Sequence, residues 1–159
     1  MQKFQFDVAQ ICENGHVVNG FTKTSPERSK DFCDKCGAAA ITTCPLCGGE
    51  IRGGLITSYT TTRRAPAFCI YCGKPYPWTQ ARIEAAHQLA GELDGISDEE
   101  KEKLTKSIDE IVKDSPSTTV AVTRFKKIVS KAGKPVAEAF KEILVDVASD
   151  TAKKVLWPQ

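Results

Sequence analysis

Along residues 79–159 apolar positions recur every three or four residues, in four stretches separated by capping and helix-breaking residues. With Thr79 as its cap, the first stretch places Ile83, Ala86, Ala90 and Leu93 on one face and stops at Gly95. Ser97-Asp98-Glu99-Glu100 reads as a capping box for a second helix that buries Leu104, Ile108, Ile111 and Val112. A third starts at Ser115-Pro116, proline taking the first helical position, and carries Ala121, Phe125, Ile128 and Ala132 to Gly133. Its opening, Thr118 to Thr123, is also rich in β-branched residues. The fourth runs from Pro135 towards Trp157 with Val136, Phe140, Ile143, Leu144, Val147 and Val155 facing inward. Four amphipathic helices with short links predict a small helical bundle.

The first 78 residues follow another pattern. Short β-prone runs, Val17-Val18, Leu55 to Thr62 and Phe68 to Tyr71, lie between glycine-rich turns and read as hairpin strands. The composition changes at Lys74-Pro75-Tyr76-Pro77-Trp78, which divides the chain into domains 1–78 and 79–159. Trp78 is expected to act as an apolar plug that packs the second metal module on the first helix.

All seven cysteines fall in the first domain, and with one histidine they form four close pairs: Cys12/His16, Cys33/Cys36, Cys44/Cys47 and Cys69/Cys72. A tetrahedral zinc ion takes four nitrogen or sulfur ligands, usually as two such pairs, so eight ligands fit two closed sites and two zinc ions per chain. Glycine follows the second cysteine at Gly37, Gly48 and Gly73, where a metal knuckle needs a left-handed residue to leave the turn with its amides aimed at sulfur. A disulfide framework would strand the odd seventh thiol, and three Cys-x-x-Cys pairs in a ladder do not suit a thioredoxin-like motif. Sequential pairing, first with second and third with fourth, closes shorter loops than cross-bracing and is the expected arrangement. Neither module holds enough apolar mass to fold without its ion. The fold class is therefore small zinc-stabilised β, two tandem zinc ribbons, followed by an α-helical bundle.

The knuckles Cys44-Pro45-Leu46-Cys47-Gly48 and Cys69-Ile70-Tyr71-Cys72-Gly73 resemble those of zinc ribbons in transcription, translation and adaptor proteins. Over more of its length the chain resembles an uncharacterised bacterial family. The residues that carry this are Cys12-Glu13-Asn14-Gly15-His16-Val17-Val18, the Cys33/Cys36 and Cys44/Cys47 pairs, and Cys72-Gly73-Lys74-Pro75-Tyr76-Pro77-Trp78-Thr79. That resemblance implies a zinc-bound N-terminal half followed by helices, and it implies no reaction.

Charge narrows the function. The formal net charge of +2 falls to about −1 once seven thiolates hold two divalent ions, which disfavours a general phosphate binder. One local exception is Arg52, Arg63, Arg64 and Lys74 around Tyr59, Tyr71 and Tyr76, against the single acid Glu50, a set able to hold single-stranded nucleic acid. Catalysis finds no support, since closed sites lack the open position of a catalytic zinc and His87 is the only other histidine. No stretch approaches a membrane span and the start lacks a signal-peptide pattern, so the expectation is a cytoplasmic bacterial protein. The reading is a non-catalytic zinc protein whose ribbons form a recognition or adaptor surface, with a protein partner. The bundle would serve docking or self-association as a homo-oligomer. Nucleic-acid binding through the second ribbon's hairpin is the alternative.

Overall fold

The computed structural model describes residues 5–60 and 64–158. The chain divides into two compact units, 1–80 and 81–159. Small β-sheets build the first, and the chain passes into the second within a helix.

Among the described residues the first unit has five short strands: β1 (Phe6–Val8), β2 (Gln10–Cys12), β3 (Val17–Asn19), β4 (Ala40–Ile41) and β5 (Arg52–Leu55). β2 is the centre of an antiparallel three-stranded sheet in the order β3-β2-β4, and β1 pairs antiparallel with β5. Of the strand expected over 55–62, residues 61 and 62 lie outside the described residues; the strand observed is Arg52–Leu55, followed by a turn in which Tyr59 takes a positive φ of 51°. Long-range pairing with β1 decides this. Gly53 allows the close approach, since a Cβ there would run into the backbone of Gly20 and Val8.

The core of this unit gathers Ala9, Ile11, Ile51, Tyr76 and Trp78 with the sulfur-bearing Cys44 and Cys69. Trp78 and Tyr76 stack with ring centroids 4.7 Å apart. The indole nitrogen donates to the Pro66 carbonyl at 2.8 Å, and the side chain packs on Gly15, where a Cβ would press on Trp78 and where a φ of +91° disfavours any other residue. Trp78 is buried beside the second pair of cysteine hairpins, Cys44 and Cys69, as expected of a plug, but it also covers Gly15 in the turn of the first pair.

Three buried polar side chains fasten the long connection from residue 20 to 32. Gln10 pairs with Lys30 backbone like a strand, donating to its carbonyl at 2.7 Å and accepting from its amide at 3.0 Å. Asn19 donates to the Ser25 carbonyl and accepts from the Phe21 amide. Asp7 accepts from the amides of Val8, Lys23 and Thr24 and from the Thr24 hydroxyl. Burial alone would raise the Asp7 pKa, but these donors together hold it below the ordinary 3.8. A depressed carboxylate contributes stability that is whole above its unfolded pKa and is lost as the pH falls through the folded value. Asp7→Asn should therefore cost about 1–3 kcal/mol at neutral pH, read from the urea midpoint, because buried amides lose their acceptor.

Five helices follow: α1 (Pro77–Gly91), α2 (Asp98–Ile111), α3 (Thr118–Ala132), α4 (Lys134–Leu144) and α5 (Asp150–Leu156). The second unit buries Leu104, Ile108, Ile111, Val122, Phe140 and Leu144, with Phe125 meeting Phe140 edge-on at 5.3 Å. Ser97 caps α2 through the Glu100 amide, as its capping pattern predicts. Four boundaries differ from the sequence reading. The first helix ends at Gly91, so Leu93 and the expected stop Gly95 lie in the connection beyond it. α1 begins at Pro77, and Thr79 lies inside it with its hydroxyl donated to the Ala67 carbonyl rather than used as a cap. α3 begins at Thr118, because that buried hydroxyl donates to the Lys113 carbonyl and accepts from the Ser115 amide, folding 115–117 into a turn. The expected fourth helix is two, because the Ser149 amide donates to the Ile111 carbonyl and the Ser149 hydroxyl caps α5 through Ala152. Val155 consequently stays exposed.

Candidate metal centres

Three ten-residue hairpins in the first unit have the same backbone. In each, the first cysteine amide donates to the carbonyl five residues on: Cys33 to Ala38 and Cys44 to Gly49 at 2.8 Å, Cys69 to Lys74 at 2.9 Å. The glycine amide returns to the first cysteine carbonyl, as Gly37 to Cys33, Gly48 to Cys44 and Gly73 to Cys69. Those glycines have φ of 74°, 76° and 73°. The base of each hairpin closes in the same way, with Ala40, Ile51 and Tyr76 donating to Asp31, Thr42 and Ala67. Only a residue that tolerates positive φ leaves this turn without strain, which is why glycine recurs at one place. Cys12 and His16 make a tighter version, in which the Cys12 amide bonds the His16 carbonyl at 3.0 Å and Gly15 takes the positive φ.

Folding brings the four pairs together in sequence order. Cys12, His16, Cys33 and Cys36 form one cluster and Cys44, Cys47, Cys69 and Cys72 the other, the donor atoms of each lying within 4.8 Å of one another. In the first, the Cys12 sulfur is 3.7 Å from that of Cys36, and His16 Nδ1 is 3.4 Å from Cys12 and 3.7 Å from Cys33. In the second, Cys44 and Cys72 are 3.9 Å apart, and Cys47 and Cys69 3.6 Å. Tetrahedral coordination with metal–sulfur bonds of about 2.3 Å requires sulfurs about 3.8 Å apart, far beyond the roughly 2.05 Å of a disulfide. Both clusters fit a tetrahedral metal ion. His16 presents Nδ1 to the sulfurs, a choice of nitrogen that the sequence does not reveal.

Amides surround the sulfurs as a knuckle requires. His16 N–H donates to Cys12, Gly49 N–H to Cys47 and Tyr71 N–H to Cys69 at 3.3–3.4 Å, and the Asn14 side chain reaches Cys36 at 3.4 Å. The Ala38 amide with Asn14 holds the Cys36 thiol down to about 6, and the Cys72 and Tyr71 amides hold Cys69 down to about 6. At Cys47 the Gly49 amide pulls the same way but is outweighed, burial and the neighbouring Cys69, Cys72 and Cys44 pushing that thiol up to about 11. Four thiols at this spacing cannot all ionise by themselves. A divalent cation removes the conflict. Burial and a hydrogen bond with Cys69 keep the Tyr76 phenol neutral well above its ordinary range. Asn14 and Tyr76 thus support the ligands, and only Asn14, lying between Cys12 and His16, was placed where the sequence could have suggested it.

The basic and aromatic residues of the second ribbon are dispersed in their roles. Arg52 lies over the Phe6 ring at 4.4 Å, and Arg64, Lys74, Tyr59 and Tyr71 are exposed. Tyr76 is buried in the core and offers no stacking face. Arg63 lies outside the described residues.

Small sheets carrying two four-donor knuckle clusters, followed by helices, define a protein of the double zinc-ribbon type with a helical part. The chain belongs to the uncharacterized protein family conserved in bacteria, DUF2321, whose model matches residues 5–156. No curated protein and no solved structure matches it. No helix among the described residues is long and apolar enough to cross a membrane.

Proposed function

We propose that this is a non-catalytic zinc protein whose paired ribbons present a recognition surface to another protein, the helical unit serving docking or self-association. The carrying observation is closure: each centre already gathers four protein donors at tetrahedral spacing. A catalytic zinc keeps one position open for water or substrate, and neither centre leaves one. The imidazole among the donors of the first centre favours zinc over an iron–sulfur cluster, and reduced thiolates suit the cytoplasm. Nucleic-acid binding is the weaker reading, because Tyr76, one of the three tyrosines of that set, is withdrawn into the core and offers no stacking face.

Elemental analysis of the purified full chain should find two zinc ions per molecule. One zinc, or iron with inorganic sulfide, would overturn the assignment.

A further inference from the structure

Because the three hairpins share one backbone, their two tip residues can be compared as if on a single scaffold. The first carries Asp34 and Lys35, both exposed, with Asp34 paired to Lys30 at 2.8 Å. The second carries Pro45-Leu46 and the third Ile70-Tyr71. Leu46 is 72% exposed, Ile70 55% and Tyr71 67%. The turn does not require apolar tips, since it forms equally well over Asp34-Lys35. The Tyr71 ring lies directly on Gly49 of the second hairpin, so the two tips that share the second centre are joined into one surface. Exposed aliphatic and aromatic side chains on two hairpins that touch through Tyr71 and Gly49 are the usual kind of anchor at a protein interface.

We propose that Leu46, Ile70 and Tyr71 dock a short segment of another protein that carries apolar side chains beside carboxylates. The assignment rests on the reading of the second centre as a closed structural zinc site that holds the two tips in place. Charge selects the acidic flank. Arg64 and Lys74 are exposed and form no ion pair among the described residues, while the nearby acid Glu50 is already paired with Lys23 at 3.3 Å. Carboxylates would meet Arg64 and Lys74, and apolar side chains would cover the tips, away from the thiolates that would repel an acid. Nucleic acid suits the surface less, because two of its three side chains, Leu46 and Ile70, offer no face for a base to stack on and Tyr71 already lies with its ring against Gly49. A second copy of the chain also suits it less, because an isologous contact would set Arg64 and Lys74 against themselves.

Panning a displayed library of short random peptides against the zinc-loaded full chain tests this. Enriched peptides should combine apolar and acidic residues. They should bind the Leu46→Ser/Ile70→Ser/Tyr71→Ser variant at least about tenfold more weakly. Arg64→Glu/Lys74→Glu should weaken them several-fold and reduce the salt dependence. Zinc content measured on each protein keeps the two readings apart: a wild type with fewer than two ions that still binds these peptides through the tips would sink the metal assignment and leave the docking surface standing. Should the triple variant lose zinc, Leu46→Lys alone must give the loss of binding. The proposal is overturned if no peptide is enriched, or if the enriched peptides bind the variants as tightly as the wild type. Tip-dependent binding of an oligonucleotide, or a dimer in ultracentrifugation that the tip variants dissolve, overturns it as well.

Discussion

Replacing Cys44 with serine should unfold the whole first unit and release both metal ions, while the helical circular-dichroism signal of the second unit survives. Local reasoning would confine the damage to the ribbon that loses a ligand. The core forbids that separation, because Cys44 and Cys69 pack in one cluster with Ala9 and Ile11, and β2 runs from Ile11 straight into the ligand Cys12. If the proposed zinc occupies it, a closed site of this kind would supply about 10–16 kcal/mol of folding free energy. Set against the 5–15 kcal/mol by which ordinary domains are stable, losing one site is decisive. Metal release followed with a colorimetric chelator, together with far-ultraviolet circular dichroism, checks both halves of the expectation. Retention of one ion would show that the ribbons fold independently. Loss of the helical signal would show that the two units unfold as one.

Trp78→Ala should cost about 3–5 kcal/mol, the range for emptying a large aromatic from a packed core. The side chain is almost wholly buried, stacks on Tyr76, covers Gly15 beside the first centre, and ties to the Pro66 carbonyl. Removal opens a cavity between Gly15, beside the first centre, and the core cluster that holds Cys44 and Cys69 of the second. Trp78→Phe keeps a ring against Tyr76 and gives up the indole hydrogen bond, so its cost should be clearly smaller. Chelator competition reads the difference as easier metal loss, and urea unfolding reads it as a lower midpoint. A shift below about 1 kcal/mol for the alanine variant would mean that Trp78 is a bystander.

Features encoded within a few residues were legible before any coordinates. Each knuckle is written locally, in two cysteines and the glycine that must leave the turn with positive φ, and Ser97 announces α2 through an amide three residues away. Features that depend on a distant partner were not. Thr79 has the chemistry of a cap, yet its hydroxyl is spent on Ala67. Leu55 to Thr62 has strand propensity, yet β1 takes Arg52–Leu55 as its partner. Ser149 sits in an amphipathic pattern that would continue as one helix, and an Ile111 carbonyl interrupts it. At the metal centres the ligands could be read from spacing, whereas the burial of Tyr76 and the exposure of Leu46, Ile70 and Tyr71 could not. Aromatic and aliphatic residues look alike in a sequence whether they face the core or the solvent.

The hairpin that recurs three times separates what must be kept from what can change. Its cysteines, its glycine and its closing hydrogen bonds are fixed by the metal and the turn, while the two residues at its crest are exposed and no hydrogen bond that closes the hairpin uses their side chains. Such a crest is a two-letter cassette. Exchanging Pro45-Leu46 or Ile70-Tyr71 for other pairs rewrites what the surface meets and leaves the frame beneath it untouched, so a lineage can change partners by point substitution, and an engineer can graft contacts onto the same three positions.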